Sequence, residues 1–557
     1  MTGESRETPD SSVTNSVSDA VIQTQQSLPE TCLPTWDVEE ELPQPKPLGL
    51  KNLAGFIGPG IVMCGIQIGG GEWLFGPDIT AKYGGSLMWI ATIAIACQVF
   101  YNMECGRYAL YTGEPVFTGF MRMAPGPTFW VSFTILLSIG TLIPGLSTNA
   151  AVLLVGMIKG SPPTEAADGF AINCVAYILL ALIVVPVLLG GKVYNMLQAV
   201  MTAKVFIVLG FCLFIGVFFV SSDGWLEVFS GFFKFGTVPV EGETLPDGRK
   251  PVENIFATLA NDGTFPVIAL TNIALLGAFA GYAGGGGLGN STYSNFVRDK
   301  GWGMGSRVGA IASAVGGKDI SLSHIGKVFA LTKENLKRWK AWWKYILFDQ
   351  LLVWAPGCFM GMALPALMSI EFAQASPMFL DSEIDYAQSL MAADGIRNTA
   401  TLGSWAPILW LIALFVGLMV FVPSQISIVD DFSRRWTDII WSSNKRIRSS
   451  MKGNEVRKIY YVILGCYVLW SFISATIFLQ FGNAPKLMVT VIANLNNVAL
   501  GSTAFMVLYI NRKFLPEQLR PKWYNQLGIA CCGVFYLGLA LLVLFAKVIP
   551  MLVGRAA

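Results

Sequence analysis

Charge and histidine are what this chain lacks. Of its 557 residues only 13% are charged and a single one, His324, is histidine, while 53% are hydrophobic and the mean hydropathy is positive. So little charge excludes an ordinary soluble domain and reads as an all-α integral membrane protein. The net charge of +2 leaves no electrostatic footprint for nucleic acid. His324 falls in a loop, so no histidine is available inside the membrane as a proton shuttle or metal ligand. A nucleophile–base pair, a P-loop and a cofactor motif are also missing, so neither an enzyme nor a cofactor is expected. Nine of the ten cysteines lie in apolar segments rather than at metal-site spacings, and read as small hydrophobes. Residues 1–45 lack both a basic start and an apolar run; rich in Ser, Thr, Pro, Glu and Gln, they read as a disordered cytoplasmic tail.

Apolar runs of about 20 residues mark eleven spans, at 53–82, 86–111, 128–158, 171–190, 194–220, 266–297, 343–369, 405–428, 459–481, 485–511 and 525–550. The connecting loops alternate in charge. Arg298, Lys300, Arg307, Lys318, Lys327, Lys333, Lys337, Arg338, Lys340 and Lys344 follow span six, and Arg434, Arg435, Lys445, Arg446, Arg448, Lys452, Arg457 and Lys458 follow span eight. Between them Glu371, Asp381, Glu383, Asp385 and Asp394 face Arg397 alone. The positive-inside rule then predicts a multi-pass protein of the plasma (inner) membrane with a cytoplasmic amino terminus and an external 222–262 loop.

The stretch GIQIGGGEWLFGPDIT, residues 65–80, sets three glycines and a glutamate inside span one. Residues 53–82 would make a helix about 45 Å long against a hydrocarbon core of about 30 Å, and a break at the glycines absorbs the excess. Gly284 to Gly287 interrupt span six in the same way. Two interrupted helices, first and sixth in order, are the pointer to a 5+5 inverted-repeat transporter. Repeat one covers about 53–220, repeat two about 266–511, and 525–550 is an added helix within a 50–550 transporter domain. The substrate would lie between Gly69, Gly70, Gly71 and Glu72 on one side and Gly284, Gly285, Gly286, Gly287 and Asn290 on the other. Gly284-x-Gly286-x-x-Gly289 also matches a dinucleotide loop formally, but follows a membrane span rather than a strand. Spaced glycines would serve helix packing; contiguous ones unwind backbone.

Carboxylates and ammonium groups in hydrocarbon are costly and usually functional. Glu72 stands where the second half of span one begins, so it could hold a cation, titrate, or cap its own helix. Lys204 lies at mid-membrane in LQAVMTAKVFIVLGFCLF, without reach to either surface. It reads as a coupling group that substitutes for a cation or releases a proton, or as half of a structural ion pair, with Glu72, Glu104 or Asp349 as partner. Glu104 and Arg107 are one turn apart and able to pair with each other. Asp349 is placed near the hydrated surface. Asn494, Asn496 and Asn497 either line the cavity or join helices through hydrogen bonds.

From Gly58 to Gly113 the chain resembles the Nramp (natural resistance-associated macrophage protein) family of proton-coupled divalent-metal transporters, which share the leucine-transporter fold. Gly58-Pro59-Gly60 matches the opening GPG of the family, Tyr83-Gly84 and Trp89 the run into span two, and Arg107 with Thr112-Gly113 its end. The metal-binding Asp-Pro-Gly-Asn of the family falls on Gly69-Gly70-Gly71-Glu72, leaving Glu72 as metal ligand where the aspartate is missing. The methionine and the Met-Pro-His of span six fall within Gly284–Asn290, with neither thioether nor imidazole. The resemblance implies a secondary transporter of a divalent cation, a hard one given the ligands left. Lys204 is in turn similar to the lysine that takes the place of a sodium ion in proton-coupled amino-acid transporters of the same fold. A small organic solute is therefore the alternative cargo, and a non-transporting receptor a further one. The partners expected are the transported cation or solute, protons and the lipid bilayer.

Overall fold

The computed structural model describes residues 11–49, 52, 58–188, 192–312, 320–379, 386–478 and 484–552. The ends of several expected spans (53–57, 189–190 and 479–481), Lys318, Asp381, Glu383 and Asp385 lie outside them. Among the described residues eight helices are long and apolar enough to cross a membrane: Ile139–Lys159, Glu165–Val187, Val193–Phe219, Lys333–Ala375, Ala400–Ser443, Gly453–Ile477, Lys486–Phe514 and Trp523–Met551. Trp89–Thr112 makes a ninth when joined to Gly71–Leu87 across a 97° bend. The expected eleven also included 53–82 and 266–297, and these two are not continuous. The first reads Pro59–Gln67, a wide π turn Gly71–Phe75, then Gly76–Tyr83. The second reads Ile273–Tyr282, a 3-10 turn Gly287–Thr292, then Tyr293–Lys300.

Packing decides which spans face lipid. Phe170, Phe206, Phe218, Val462, Val534 and Leu541 are exposed on the outer helices. The two broken helices are buried between Trp89–Thr112, Val193–Phe219, Ala406–Ser443 and Ala484–Phe514. With lipid outside as apolar as the side chains inside, close packing and satisfied polar groups hold such a bundle together.

Two expectations need correction. The helix Ala406–Ser443 continues well past 428, so Arg434 and Arg435, read as loop cations, are fully buried. The 1–45 tail, where described, is built into the fold. Ser11–Gln26 is helical, and Asp37–Glu39 pairs in parallel with Lys327–Phe329. The main chain at Leu42 donates to Asn335 Oδ1 (3.0 Å), and the carbonyls of Pro43 and Lys46 accept from Trp342 (2.7 Å) and Tyr345 (2.5 Å). Polar composition suggested disorder, yet Leu33, Trp36 and Leu42 are buried and anchor the segment.

Glu114, just past the end of Trp89–Thr112, is the hub of that attachment. Its carboxylate accepts from Arg122 at 2.5 and 2.8 Å, from the Trp36 indole at 2.9 Å and from the Gly326 N–H at 2.8 Å. Burial opposes its charge, but Arg122 and these donors outweigh burial and hold the carboxyl below its usual range. Its contribution to stability is thus full above pH 4.5, the ordinary value, and lost as pH falls through the lowered one. Glu114→Gln, which strands Arg122, is expected to cost about 3–5 kcal/mol and to speed proteolysis at residues 27–46. Unchanged digestion and melting temperature would remove this role.

Candidate functional site

The first break begins one residue before the glycines. Ile68 leaves the helical region (ψ 82°) while Gly70 stays in it (φ −62°, ψ −32°). Gly71 is needed for proximity rather than for an unusual backbone. A Cβ there would sit 2.2 Å from the carbonyl oxygen of Tyr282, the last residue of the facing half-helix. In the second break the glycines do the unwinding. Gly284, Gly286 and Gly287 all have positive φ (111°, 65° and 58°), a region open to glycine at little cost. The same residue type therefore serves close approach in one helix and backbone conformation in the other.

Between the breaks lies a cavity of about 70 Å³, walled by Gly69 and Gly70, by Gly284, Gly285 and Gly286, and by side chains of four further segments. Gln67, Tyr282, Thr292, Ser424, Asp431 and Asn496 form its polar wall; Ile66, Ile143, Leu146, Ile428 and Ile492 form its apolar one. Gln67 Nε2 and the Tyr282 hydroxyl are buried without a protein partner. Buried polar atoms are nearly always paired, so these two are what a polar guest would satisfy.

Glu72 stands behind the break. Fully buried, it accepts the Gly69 N–H on Oε2 at 3.0 Å, while Oε1 has no hydrogen-bond partner. The Gly284 N–H and the Lys204 ammonium are its electrostatic neighbours. Lys204 donates to Ser424 Oγ at 2.5 Å, and Ser424 donates to the Ile66 carbonyl at 3.3 Å. The ammonium is thus seated between the first half-helix and Ala406–Ser443, at the edge of the cavity. Among the described residues no three His, Cys, Asp or Glu side chains converge as a metal-binding group.

The fold is similar to that of a manganese transporter. The Eremococcus coleocola manganese transporter, in complex with an aromatic bis-isothiourea substituted compound, matches at TM-score 0.56 and 12% identity over 94% of this chain and 92% of its own. A histidine-to-alanine mutant of that transporter gives 0.57 at the same identity and coverage. MhsT in complex with L-phenylalanine is similar at TM-score 0.45 and 12% identity over 87% of this chain and 98% of its own. No protein-family model and no curated protein matches the sequence. The architecture is thereby that of the leucine-transporter type, 5+5 helices with the first and sixth broken at glycine-rich stretches.

Within this fold the other residues singled out from sequence separate. Asn290 belongs to the second break: its Nδ2 donates to Gln98 Oε1 (2.9 Å) and Asn102 Oδ1 (3.0 Å). Asn494 and Asn497 donate to the carbonyls of Ala274 (3.0 Å) and Gly277 (2.9 Å) and brace the half-helix Ile273–Tyr282; Asn496 is the amide on the cavity wall. Asp349 is fully buried rather than near the surface. It accepts the Gly60 N–H (2.8 Å) and the Tyr293 hydroxyl (2.8 Å), and so holds the amino terminus of Pro59–Gln67. Glu104 and Arg107 pair at 2.8 Å, as their spacing allows. Arg107 also donates to the Leu519 carbonyl, and neither residue reaches the cavity.

Two groups escaped sequence reasoning. Gln98, in the middle of Trp89–Thr112, donates to the Ala283 carbonyl (2.8 Å) and accepts the Gly285 N–H (2.8 Å), satisfying backbone freed by the second break. The other is a buried cluster below the cavity, in which Arg298 pairs with Asp299 (2.8 Å) and Asp438 (2.5 Å), Arg434 with Asp299 and Asp430, and Arg435 with Asp431. Asp431 also accepts from Thr292 and reaches the cavity wall. The signal was present in DDFSRR, where Asp430 and Asp431 each precede an arginine by one helical turn.

Proposed function

We propose that this protein is a secondary transporter that carries a small polar organic solute, an amino acid or a molecule of similar size, together with protons. The seat of Lys204 carries the reading. A fixed ammonium held by Ser424 of the cavity wall, and through it by Ile66, would serve in place of a coupling cation and disfavours a dication next to it. The mixed wall supports the same cargo, because Gln67 and Tyr282 offer unpaired polar atoms to a polar end while five aliphatic residues offer a surface to a carbon skeleton. Protonated Lys204 would tie Val193–Phe219 to Ala406–Ser443 through Ser424, which itself holds the Ile66 carbonyl of the first half-helix; loss of the proton would weaken that tie and let the helices separate, which is alternating access driven by a proton.

A second reading, transport of a divalent cation, draws on the manganese transporter whose fold this chain resembles and on the unpaired Oε1 of Glu72. Proteoliposomes under an inward proton gradient distinguish the two. Accumulation of a small amino acid with lumenal acidification and without Mn²⁺ flux is expected, and Glu72→Gln is expected to lower it about tenfold, the worth of one charge-assisted contact. Mn²⁺ uptake that Glu72→Gln abolishes would overturn the organic reading in favour of the cation.

A further inference from the structure

Away from the substrate cavity, the ends of three spanning helices enclose an open pocket of about 830 Å³. Its walls come from Lys333–Phe348, the end of Ala484–Phe514 and the 515–526 turn. Arg107 on its floor is already engaged by Glu104 and stacks over Trp343 at 4.0 Å. Lys340, Lys344, Arg512, Arg520 and Lys522 are exposed around it. Among the described residues none of these five has a carboxylate within ion-pair distance, and Glu517 is the acid on the wall.

Helix physics accounts for Arg512, in the last turn of Ala484–Phe514, but not for Lys340, Lys344 or Lys522. Lys340 and Lys344 are like charges one turn apart, a destabilising arrangement, and Lys522 precedes the amino terminus of Trp523–Val543, where a cation opposes the helix dipole. An anion in the pocket would relieve both. Beside it Trp523 and Tyr524 are exposed, as aromatic residues at a membrane interface are. An adjoining groove of about 440 Å³ leads from Arg512 and Lys513 along Tyr509, Leu508 and Phe505, one face of a spanning helix. Arg512 lines both spaces, so a charged compartment and an apolar track adjoin at its side chain.

We infer that this is a binding site for an anionic phospholipid, its phosphate headgroup among Lys340, Lys344, Arg512, Arg520 and Lys522 and one acyl chain along Phe505–Tyr509. Basic pockets between spanning helices recognise such headgroups through charge and hydrogen bonds. The groove distinguishes a lipid from free phosphate, which has no use for it. The site is independent of the cargo proposed above.

Native mass spectrometry and thermal-shift titration of the purified full-length protein test it. Phosphatidylglycerol is expected to remain bound and raise the melting temperature, phosphatidylcholine and inorganic phosphate to do neither. Lys340→Gln/Lys344→Gln/Arg512→Gln is expected to weaken phosphatidylglycerol binding at least tenfold, while Lys445→Gln/Lys458→Gln leaves it unchanged. Equal retention of phosphatidylcholine, full binding by the triple variant, or an equal shift with inorganic phosphate would each overturn the assignment. Should the triple variant not fold, raising the ionic strength on the unaltered protein substitutes for it: undiminished binding of phosphatidylglycerol counts against the site.

Discussion

Lys204→Met is expected to leave a folded protein whose uptake no longer responds to a proton gradient, with gradient-driven flux down about 10- to 100-fold. That range corresponds to about 1.5–3 kcal/mol for a hydrogen bond made by a charged group. The side chain lies in the middle of Val193–Phe219, 2% exposed, and reaches Ser424 Oγ at 2.5 Å. Methionine matches its length and fills the same volume without a donor or a charge. Removing the buried ammonium removes the cost of burying it but leaves Glu72 without its cationic neighbour, so some loss of stability is expected alongside a folded protein. The bridge from Val193–Phe219 through Ser424 to the Ile66 carbonyl would lose its first link. Counterflow exchange, which needs no proton gradient, should persist more fully than gradient-driven uptake. If the variant accumulates substrate under an inward proton gradient as well as the unaltered protein does, Lys204 is not the coupling group.

Gly71→Ala is expected to damage the contact between the two breaks directly. Its Cβ would fall 2.2 Å from the Tyr282 carbonyl oxygen, with Tyr282 Cβ at 2.7 Å. Backbone cannot rotate away as a flexible side chain can, so the half-helices must part. Overpacking of this kind costs about 3 kcal/mol, and separation would also pull Glu72 from the neighbourhood of Gly284. Purified protein should melt several degrees lower and transport should fall below detection. Gly210→Ala is the internal control: nothing lies within 4 Å of its added methyl, and within a helix the change should stabilise by about 0.5–1 kcal/mol. Equal melting temperatures for Gly71→Ala and the parent would show that the two breaks are not in tight contact.

How much of this was legible in advance differs residue by residue. Glu72 and Lys204 stood out because a charge in a lipid-length apolar run is costly wherever its neighbours are, so its presence alone asks for a reason. Gln98 and Asn102 gave no such signal, since an amide in a helix looks the same whether it meets lipid, cavity or another helix. Asn494 and Asn497 show the same ambiguity resolved toward bracing, and Asn496 toward the cavity. Arg434 and Arg435 were misplaced for a related reason. Counting basic residues assumes that they are hydrated, whereas Arg298, Arg434 and Arg435 are paired here out of water with four aspartates.

The amino-acid sequence by itself determined the membrane-spanning class, the two interrupted helices and the place of the lysine within a long apolar helix, because hydrocarbon thickness and the cost of buried charge act on each segment alone. Only the tertiary structure decided that Gly71 serves contact while Gly284, Gly286 and Gly287 serve backbone conformation. The same holds for Glu72 standing behind the cavity rather than on its wall, for Asp349 holding a helix end, and for the residues before 49 strapping one face of the bundle. These depend on which helices become neighbours, and the free energy of a polar contact in a membrane protein resides in the partner as much as in the residue that seeks it.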